Sequence, residues 1–83
     1  MQNNTTPRPV RKYHVVLERA TVTTGDNTNL WYPQFGDFDR NTVKDELKDY
    51  RRQSIDGGTS LEYRMVSVDE TDPRLGSTDG WAL

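Results

Sequence analysis

The sequence contains no cysteine and a single histidine, His14, in 83 residues. Without cysteine the chain can form neither a disulfide framework nor a cysteine-ligated zinc site. A reducing cytoplasm is the compartment that this absence fits. His14 has no second histidine with which to bind a metal ion, and no serine or cysteine nucleophile pairs with it in the sequence. These absences predict a protein that is not an enzyme and holds no metal and no cofactor.

Long apolar runs are also missing, because the longest uninterrupted ones span two or three residues. No segment is therefore expected to cross a membrane, and the polar start MQNNTTPRPV lacks the apolar stretch of a secretory signal. Apolar residues make up 31% of the chain, against about 45–50%, glycine included, in an average globular domain. The core is therefore expected to be small, and a partner or a second copy could supplement its stability.

No strong charge of either sign is present, since 11 Lys and Arg oppose 13 Asp and Glu for a formal charge of −2. This balance excludes a basic nucleic-acid binder by bulk charge and a strongly acidic mimic of DNA. The glycines form no phosphate-binding loop of either common pattern. The carboxylates at positions 69, 70 and 72 lack the spacing of a calcium loop.

The chain divides by composition into three parts. Residues 1–11 are polar and contain Arg8 and Arg11, which predicts a flexible basic arm; it is either a plain disordered terminus or an arm that reaches a partner. Residues 12–69 carry the pattern of a β-β-α-β domain. Residues 70–83 have the composition of an acidic, loop-like tail, with Trp81 near its end.

Alternating and β-branched residues predict three strands. The first covers residues 12–24 and the second residues 29–34, joined as a hairpin by a turn at residues 25–27. Pro33 cannot donate a ladder hydrogen bond, so the second strand is expected at a sheet edge. The third strand covers residues 60–69.

One helix is predicted over residues 40–54. Asp39 is a favourable N-cap, and Val43, Leu47 and Tyr50 recur at the spacing of an apolar stripe. Glycines 57 and 58 end the segment. Because crossovers are right-handed, the first strand should lie between the other two. The sequence therefore predicts an α+β fold, with a three-stranded antiparallel sheet of order 2-1-3 and one helix on one face.

A single helix covers one face of such a sheet and leaves the other open. The helix side is expected to hold Val15, Leu17, Leu30, Tyr32, Leu61, Tyr63 and Met65. The open face would then carry Val16, Trp31, Val66 and Val68, with His14 and Arg64 among them. An apolar patch rimmed by charge is typical of an interface. The predicted partner-binding residues are therefore Val16, Trp31, Arg64, Val66 and Val68.

Two alternatives to this interface follow from the same pattern. The C-terminal tail could fold back so that Trp81 covers the open face. A shift of one residue in strand register would exchange the two faces.

The predicted helix also has a basic flank. Arg40, Lys44, Lys48, Arg51 and Arg52 project to one side of the stripe, whereas Asp45, Glu46 and Asp49 lie on the other side. With Arg8 and Arg11, the residues Lys44, Lys48, Arg51 and Arg52 are candidates for contact with nucleic acid or an acidic partner. The alternatives are an ordinary solvated helix, or neutralisation of this flank by the acidic tail.

The layout resembles small phage-encoded β-β-α-β accessory proteins. The likeness rests on Trp31 in the second strand, a capped helix that ends near Tyr50-Arg51-Arg52, and the following strand Tyr63-Arg64-Met65-Val66. It implies host-takeover or anti-CRISPR-like inhibitors that act in the host cytoplasm, without chemistry of their own, on a host protein or protein complex. A nucleic-acid-binding module and a structural, self-assembling or homodimeric phage component are the two alternative functions.

Overall fold

The computed structural model describes residues 9–20, 30–58 and 61–83. Each element of the β-β-α-β prediction is present, and further structure follows the third strand. The elements are β1 (Lys12–Ala20), β2 (Leu30–Asp37), α1 (Arg40–Gly57), β3 (Leu61–Asp69), a 3-10 helix (Pro73–Gly76) and β4 (Trp81–Ala82). Predicted strand residues 21–24, 29 and 60, and the predicted turn at 25–27, lie outside the described residues.

The strands form one antiparallel sheet of order β3-β1-β2-β4. The predicted class, α+β with an antiparallel sheet and one helix, is confirmed, as is the 2-1-3 order of the first three strands. The predicted count of three strands is wrong, because β4 adds a fourth strand. It pairs with β2 only at Leu30 and Trp31, so Pro33 still lies where no outer strand pairs with β2.

The helix begins where the sequence predicts. The Asp39 carboxylate accepts hydrogen bonds from the Asn41 backbone N–H at 3.0 Å and from the Thr42 hydroxyl at 2.9 Å. The Thr42 bond, followed by the Asn41 bond, lowers the pKa of Asp39. The helix continues to Gly57, three residues beyond the predicted end, and Gly58 caps it in the left-handed conformation at φ 67°.

The face of the sheet that α1 covers is identified by Tyr63, whose ring stacks on that of Tyr50 at 5.2 Å. Tyr63 pairs with Glu18 in the β1–β3 register, and alternation along β1 puts Val16 and His14 on the same face as Glu18. Val16 is fully buried there. We call this the helix face.

The opposite face carries a separate apolar cluster. Val15, Leu17, Trp31 and Trp81 form its buried part, and Leu75 packs against it. Leu75 and Trp81 come from residues 70–83, which leave β3, cross this face and rejoin the sheet beside β2 as β4. We call residues 70–83 the strap and the face that they cover the strap face. The predicted alternative, in which the C-terminal tail folds back so that Trp81 covers the face opposite the helix, is therefore confirmed.

The predicted faces of β1 are wrong, because Val15 and Leu17 lie on the strap face and Val16 on the helix face. The reason is visible in the sequence: Val15, Val16 and Leu17 are consecutive, and all three are at most 2% exposed. A strand that buries apolar side chains on both faces has no alternation from which a face can be assigned.

Acidic residues around the start of the strap form ion pairs with the start of β1 and within the strap itself. Asp69 pairs with Lys12 at 2.6 Å and Glu70 with Arg11 at 2.8 Å, while Asp72 pairs with Arg74 at 2.8 Å. The alternative that the tail neutralises the helix flank is wrong for these carboxylates, because their cations lie at the start of β1, just before it and in the strap. Among the described residues, no helix is both long enough and apolar enough to cross a membrane.

Candidate functional site

The predicted partner-binding surface is largely internal. Val16 lies beneath α1 with no exposed area, and Trp31 is 5% exposed. Val66 and Val68 are half-buried against the strap-face cluster. Of the five predicted residues, Arg64 alone is exposed, and its guanidinium lies 5.6 Å from the Trp31 ring centroid. The open apolar face on which this prediction depended is therefore not present.

The second predicted set, the cations, is divided by the fold. Arg8 lies outside the described residues. Arg11 is bound to Glu70 and stacks on Phe38, with 4.0 Å from its guanidinium carbon to the ring centroid. The other four predicted cations all lie on α1. The candidate binding surface is therefore on this helix.

We restrict the name basic flank to these four cations, Lys44, Lys48, Arg51 and Arg52, without Arg40. Positions separated by three or four residues share one side of a helix. Arg51 fixes the direction of this side, because its Nη2 donates to the Tyr63 carbonyl oxygen on β3 at 2.9 Å. Within the described part of the chain, none of the four forms an ion pair. The basic flank therefore faces the β3 side of the molecule with uncompensated charge.

The other side of the same helix is acidic. Asp45, Glu46, Asp49 and Asp56 lie there by the helical repeat of 100° per residue. The Tyr50 hydroxyl, which donates to the Gln34 carbonyl of β2 at 3.5 Å, shows that this side faces β2. The helix thus separates charge across its width, with cations toward β3 and carboxylates toward β2.

A groove of about 350 Å³ opens where the C-terminal half of α1 meets β3. Its lining combines apolar, polar and charged side chains: Arg51, Ser54, Ile55, Leu61, Glu62 and Tyr63. Ile55 is 79% exposed, a large value for an apolar side chain at the rim of a groove. Sequence reasoning did not identify Ile55, although its position out of phase with the stripe of Val43, Leu47 and Tyr50 was a usable signal.

β3 is an outer strand of the sheet, and its backbone is exposed along part of its length. The Tyr63 and Leu61 carbonyls accept from Arg51 and from the Ser54 hydroxyl at 2.9 and 3.4 Å. Both carbonyls therefore point away from β1. Because backbone groups alternate in direction along a strand, those of Met65 and Ser67 point outward as well.

The one charged side chain of β3 that has no ion pair with a described residue is a cation, Arg64. Glu62 pairs with Arg19 at 2.8 Å and Asp69 with Lys12 at 2.6 Å. Arg64 forms no ion pair with any described residue. The outer edge of β3 therefore has an unpaired cation on the strap face and the basic flank on the helix face.

The polar groups that are buried beneath α1 have structural partners. His14 Nδ1 lies 2.6 Å from Ser67 Oγ, and the Tyr63 hydroxyl donates to Glu18 Oε2 at 2.7 Å. Desolvation, with the Glu18 hydrogen bond and charge, raises the pKa of Tyr63 to about 12. In the described ranges, no three His, Cys, Asp or Glu side chains group closely enough to hold a metal ion. The absence of enzymatic activity stays a prediction.

A second cavity, of about 250 Å³, lies between the strap and the middle of β2. Trp81 lines it, and the indole N–H of this residue is buried without a hydrogen-bond partner among the described residues.

Comparison of the chain with protein-family models, with curated proteins and with solved structures gave no match in any of the three. The resemblance to phage-encoded accessory proteins accordingly stays a prediction.

Proposed function

We propose that this protein is a non-enzymatic binding protein that captures an acidic protein partner with the β3 side of α1 and thereby modulates that partner. The observation that carries the proposal is Ile55, which is 79% exposed at the rim of an open groove and beside Arg51. An exposed apolar side chain surrounded by charge is typical of a contact with another protein.

The partner should be acidic because of the charge on this side. The four cations of the basic flank have no ion pair among the described residues, so they remain available to carboxylates of a partner. Charges at the rim of an interface mainly raise the association rate and select the partner, whereas the apolar contact supplies affinity. Ile55 and the groove would supply that contact.

A nucleic acid is the less favoured partner. Phosphate contacts need a continuous positive surface, but Asp45 and Asp49 are exposed on the same helix and the whole chain carries a formal charge of −2. An apolar groove rim has no counterpart in a phosphate backbone. Nucleic-acid binding is therefore kept as an outcome of the test.

The sequence resemblance adds a narrower form of the proposal. In that form the chain is encoded by a phage or mobile element, the partner is a host protein complex in the cytoplasm, and binding inhibits it. This form rests on the resemblance alone. A structural or self-assembling role is the remaining alternative, and sedimentation at micromolar concentration separates it from the others.

The test compares two substitutions that add the same charge at two exposed apolar positions. Ile55→Glu places a carboxylate at the groove, and Leu83→Glu places one at a residue that is 56% exposed outside it. Each variant and the parent chain are used as bait, captured proteins are identified by mass spectrometry, and the interaction is then measured with purified components. Trp31→Ala is unsuitable, because Trp31 belongs to the core.

We expect one acidic protein to bind the parent chain and the Leu83→Glu variant equally and the Ile55→Glu variant at least tenfold more weakly, a difference of about 1.4 kcal/mol. Equal binding by all three chains would contradict the proposed surface. Binding to a DNA or RNA duplex at about 50 mM salt that is stronger than binding to any protein would assign the flank to nucleic acid instead.

A further inference from the structure

The outer edge of β3 is the part of this surface with the most specific geometry. The β1–β3 register runs without irregularity from the Lys12–Asp69 pair to the Ala20–Leu61 pair, so β3 is regular over nine residues. Its sequence LEYRMVSVD contains neither proline nor glycine. Natural proteins protect outer strands with short length, proline, bulges, charged side chains or a covering element. β3 has no proline or bulge, and of its charged residues Glu62 and Asp69 are paired within the chain.

The fold covers one half of this edge and leaves the other half open. The outward carbonyls of Leu61 and Tyr63 accept hydrogen bonds from α1 side chains, and the Asp69 carbonyl accepts from the Asp72 N–H at 2.8 Å. Between them, the outward N–H and C=O groups of Met65 and Ser67 have no backbone partner among the described residues. This short open stretch is a template for one further strand.

The basic flank lies on the side of α1 that faces β3. The later helix residue Ser54 contacts the earlier strand residue Leu61, so α1 and β3 run in opposite directions. Counted from the Arg51–Tyr63 contact, with rises of about 1.5 Å per helix residue and about 3.3 Å per strand residue, Lys48 falls nearly level with Met65 along the strand direction and Lys44 falls toward Ser67. On the other face of the same stretch lie Arg64, exposed, and Val66, half-buried.

We infer that the partner is an acidic, extended segment of another protein that adds to the sheet as a fifth strand beside Met65 and Ser67. Main-chain hydrogen bonds to these two residues would fix its register. Its side chains would alternate, with carboxylates toward Lys44 and Lys48 and apolar groups toward Val66. This inference rests on the proposed function and names the partner's chemistry and its mode of binding.

A second copy of the chain is a poorer occupant of this edge. Two β3 strands paired about a two-fold axis at Met65 and Ser67 would bring two basic flanks together, and like charges that face each other across an interface are destabilising. An acidic strand meets no such repulsion.

The probe is a peptide of about seven residues that alternates glutamate and valine. Its binding to the full chain is followed by fluorescence anisotropy, and amide hydrogen exchange is followed by NMR. Three control peptides are used: one carries lysine for glutamate, and two keep every side chain but are N-methylated at alternate residues, each along one of the two peptide edges. A short DNA duplex is the polyanion control.

The exchange pattern is the most specific readout. The amides of Arg64 and Val66 point toward β1 and are protected before any peptide is added. We expect the peptide to slow the exchange of the Met65 and Ser67 amides while Arg64 and Val66 change little. N-methylation should weaken binding about tenfold or more, because it removes the hydrogen bonds that the peptide donates to the Met65 and Ser67 carbonyls, at about 1 kcal/mol each.

A pair of lysine substitutions tests the charge. Lys48→Gln should lower the affinity for the glutamate peptide by up to about fivefold. Lys12→Gln, at a lysine already paired with Asp69, should change this affinity by less than about twofold. The lysine peptide should not bind.

The outcomes separate the inference from the proposed function. Peptide binding that depends on Lys48 but tolerates N-methylation, without protection of Met65 and Ser67, would overturn strand addition and leave the acidic partner standing. No binding of the glutamate peptide would overturn strand addition, and failure of the Ile55→Glu test as well would overturn the proposed function. Tighter binding of the duplex than of the peptide would contradict both strand addition and the proposed function. Dimerisation without peptide that slows the exchange of the Met65 and Ser67 amides would identify a second copy as the occupant.

Discussion

The two faces of this sheet are both closed, but by different means. On the helix face a regular capped helix packs over polar groups that are paired, such as Tyr63 with Glu18 and His14 with Ser67. On the strap face an irregular segment covers an apolar cluster, and two tryptophans, Trp31 and Trp81, fill it. Arginines then cover both indole rings, with Arg19 over Trp31 at 4.5 Å and Arg74 over Trp81 at 4.4 Å.

The comparison explains how a chain with 31% apolar residues covers both faces of the sheet in the part that the structure describes. Two tryptophans contribute far more buried area than their number suggests, and arginine side chains cover the rings without adding apolar surface. Once both faces are occupied, the places left for a partner are the strand edges and the outer side of the helix. Three predictions test this difference between the faces.

The largest effect is expected on the strap face. Trp81→Ala should lower the free energy of unfolding by about 3–5 kcal/mol, because Trp81 is 1% exposed at the centre of the cluster. That amount is a large fraction of the stability of a small domain. Urea unfolding followed by circular dichroism measures it.

Trp81→Phe is the matched control. It keeps a buried ring and removes the indole N–H that has no partner among the described residues, so we expect it to cost clearly less than Trp81→Ala. Equal losses for the two variants would mean that the ring does not hold the strap in place.

An intermediate effect is expected from the polar pair on the helix face. Tyr63→Phe should lower stability at pH 7 by about 1 kcal/mol, since it removes the hydroxyl that donates to Glu18 at 2.7 Å. The folded pKa of Tyr63 is raised to about 12 from an ordinary value of 10.0. The associated stability is therefore fully present below pH 10 and is lost as the pH rises from about 10 through about 12.

The measurement is the urea midpoint of the parent chain and of Tyr63→Phe between pH 8 and about pH 12. Their difference should shrink across this window, because the variant has no group that titrates at this position. Tyr32→Phe, at a tyrosine that is 39% exposed, serves as control. A constant difference between the parent and Tyr63→Phe would show that burial does not stabilise the neutral hydroxyl.

The smallest effect is expected at the start of α1. The folded pKa of Asp39 is lowered below 3.8 by its bonds to Thr42 and Asn41, so its contribution is present above pH 4 and is lost as the pH falls through the folded pKa. Asp39→Asn keeps a capping side chain that does not titrate. It should leave stability at pH 7 nearly unchanged and reduce the acid-induced loss.

Thermal unfolding of both chains from pH 7 to pH 2 checks this prediction. Asp72, whose pKa is lowered to about 2 by Arg74, is present in both and cancels in the comparison. Identical acid sensitivity would mean that the cap makes no pH-dependent contribution.

Local signals in the sequence were sufficient for most of the framework. The N-cap at Asp39 and the stripe of Val43, Leu47 and Tyr50 located the helix, and the handedness of crossovers placed β1 between β2 and β3. These features depend on neighbours a few residues apart or on general chain geometry. Gly57 and Gly58 marked the end of the helix, since Gly58 is its C-cap, whereas the predicted last residue, 54, fell three residues short.

The faces and the strap could not be assigned in the same way. Along β1 the three consecutive core residues conceal which side each one takes, and a register shift between Val16 and Leu17 alters the pairing with β2. The strap has the composition of a loop, and its role depends on contacts between Trp81 and residues at least fifty positions earlier, such as Trp31. The cations of the candidate site were predicted from the helix repeat, and the phase of Ile55 relative to the apolar stripe was also readable, whereas the groove beside Ile55 and the open β3 edge needed coordinates.

The position of Trp81 in the chain has a consequence for biosynthesis. A ribosome that adds about 5–20 residues per second produces β1, β2, α1 and β3 before the residue that completes the strap-face core. Until Trp81 is in place, a sheet formed from the earlier elements would leave Val15, Leu17 and Trp31 without their cover. Translation products that end after β3 would keep this apolar surface exposed. Cellular proteases should therefore degrade them faster than the complete domain.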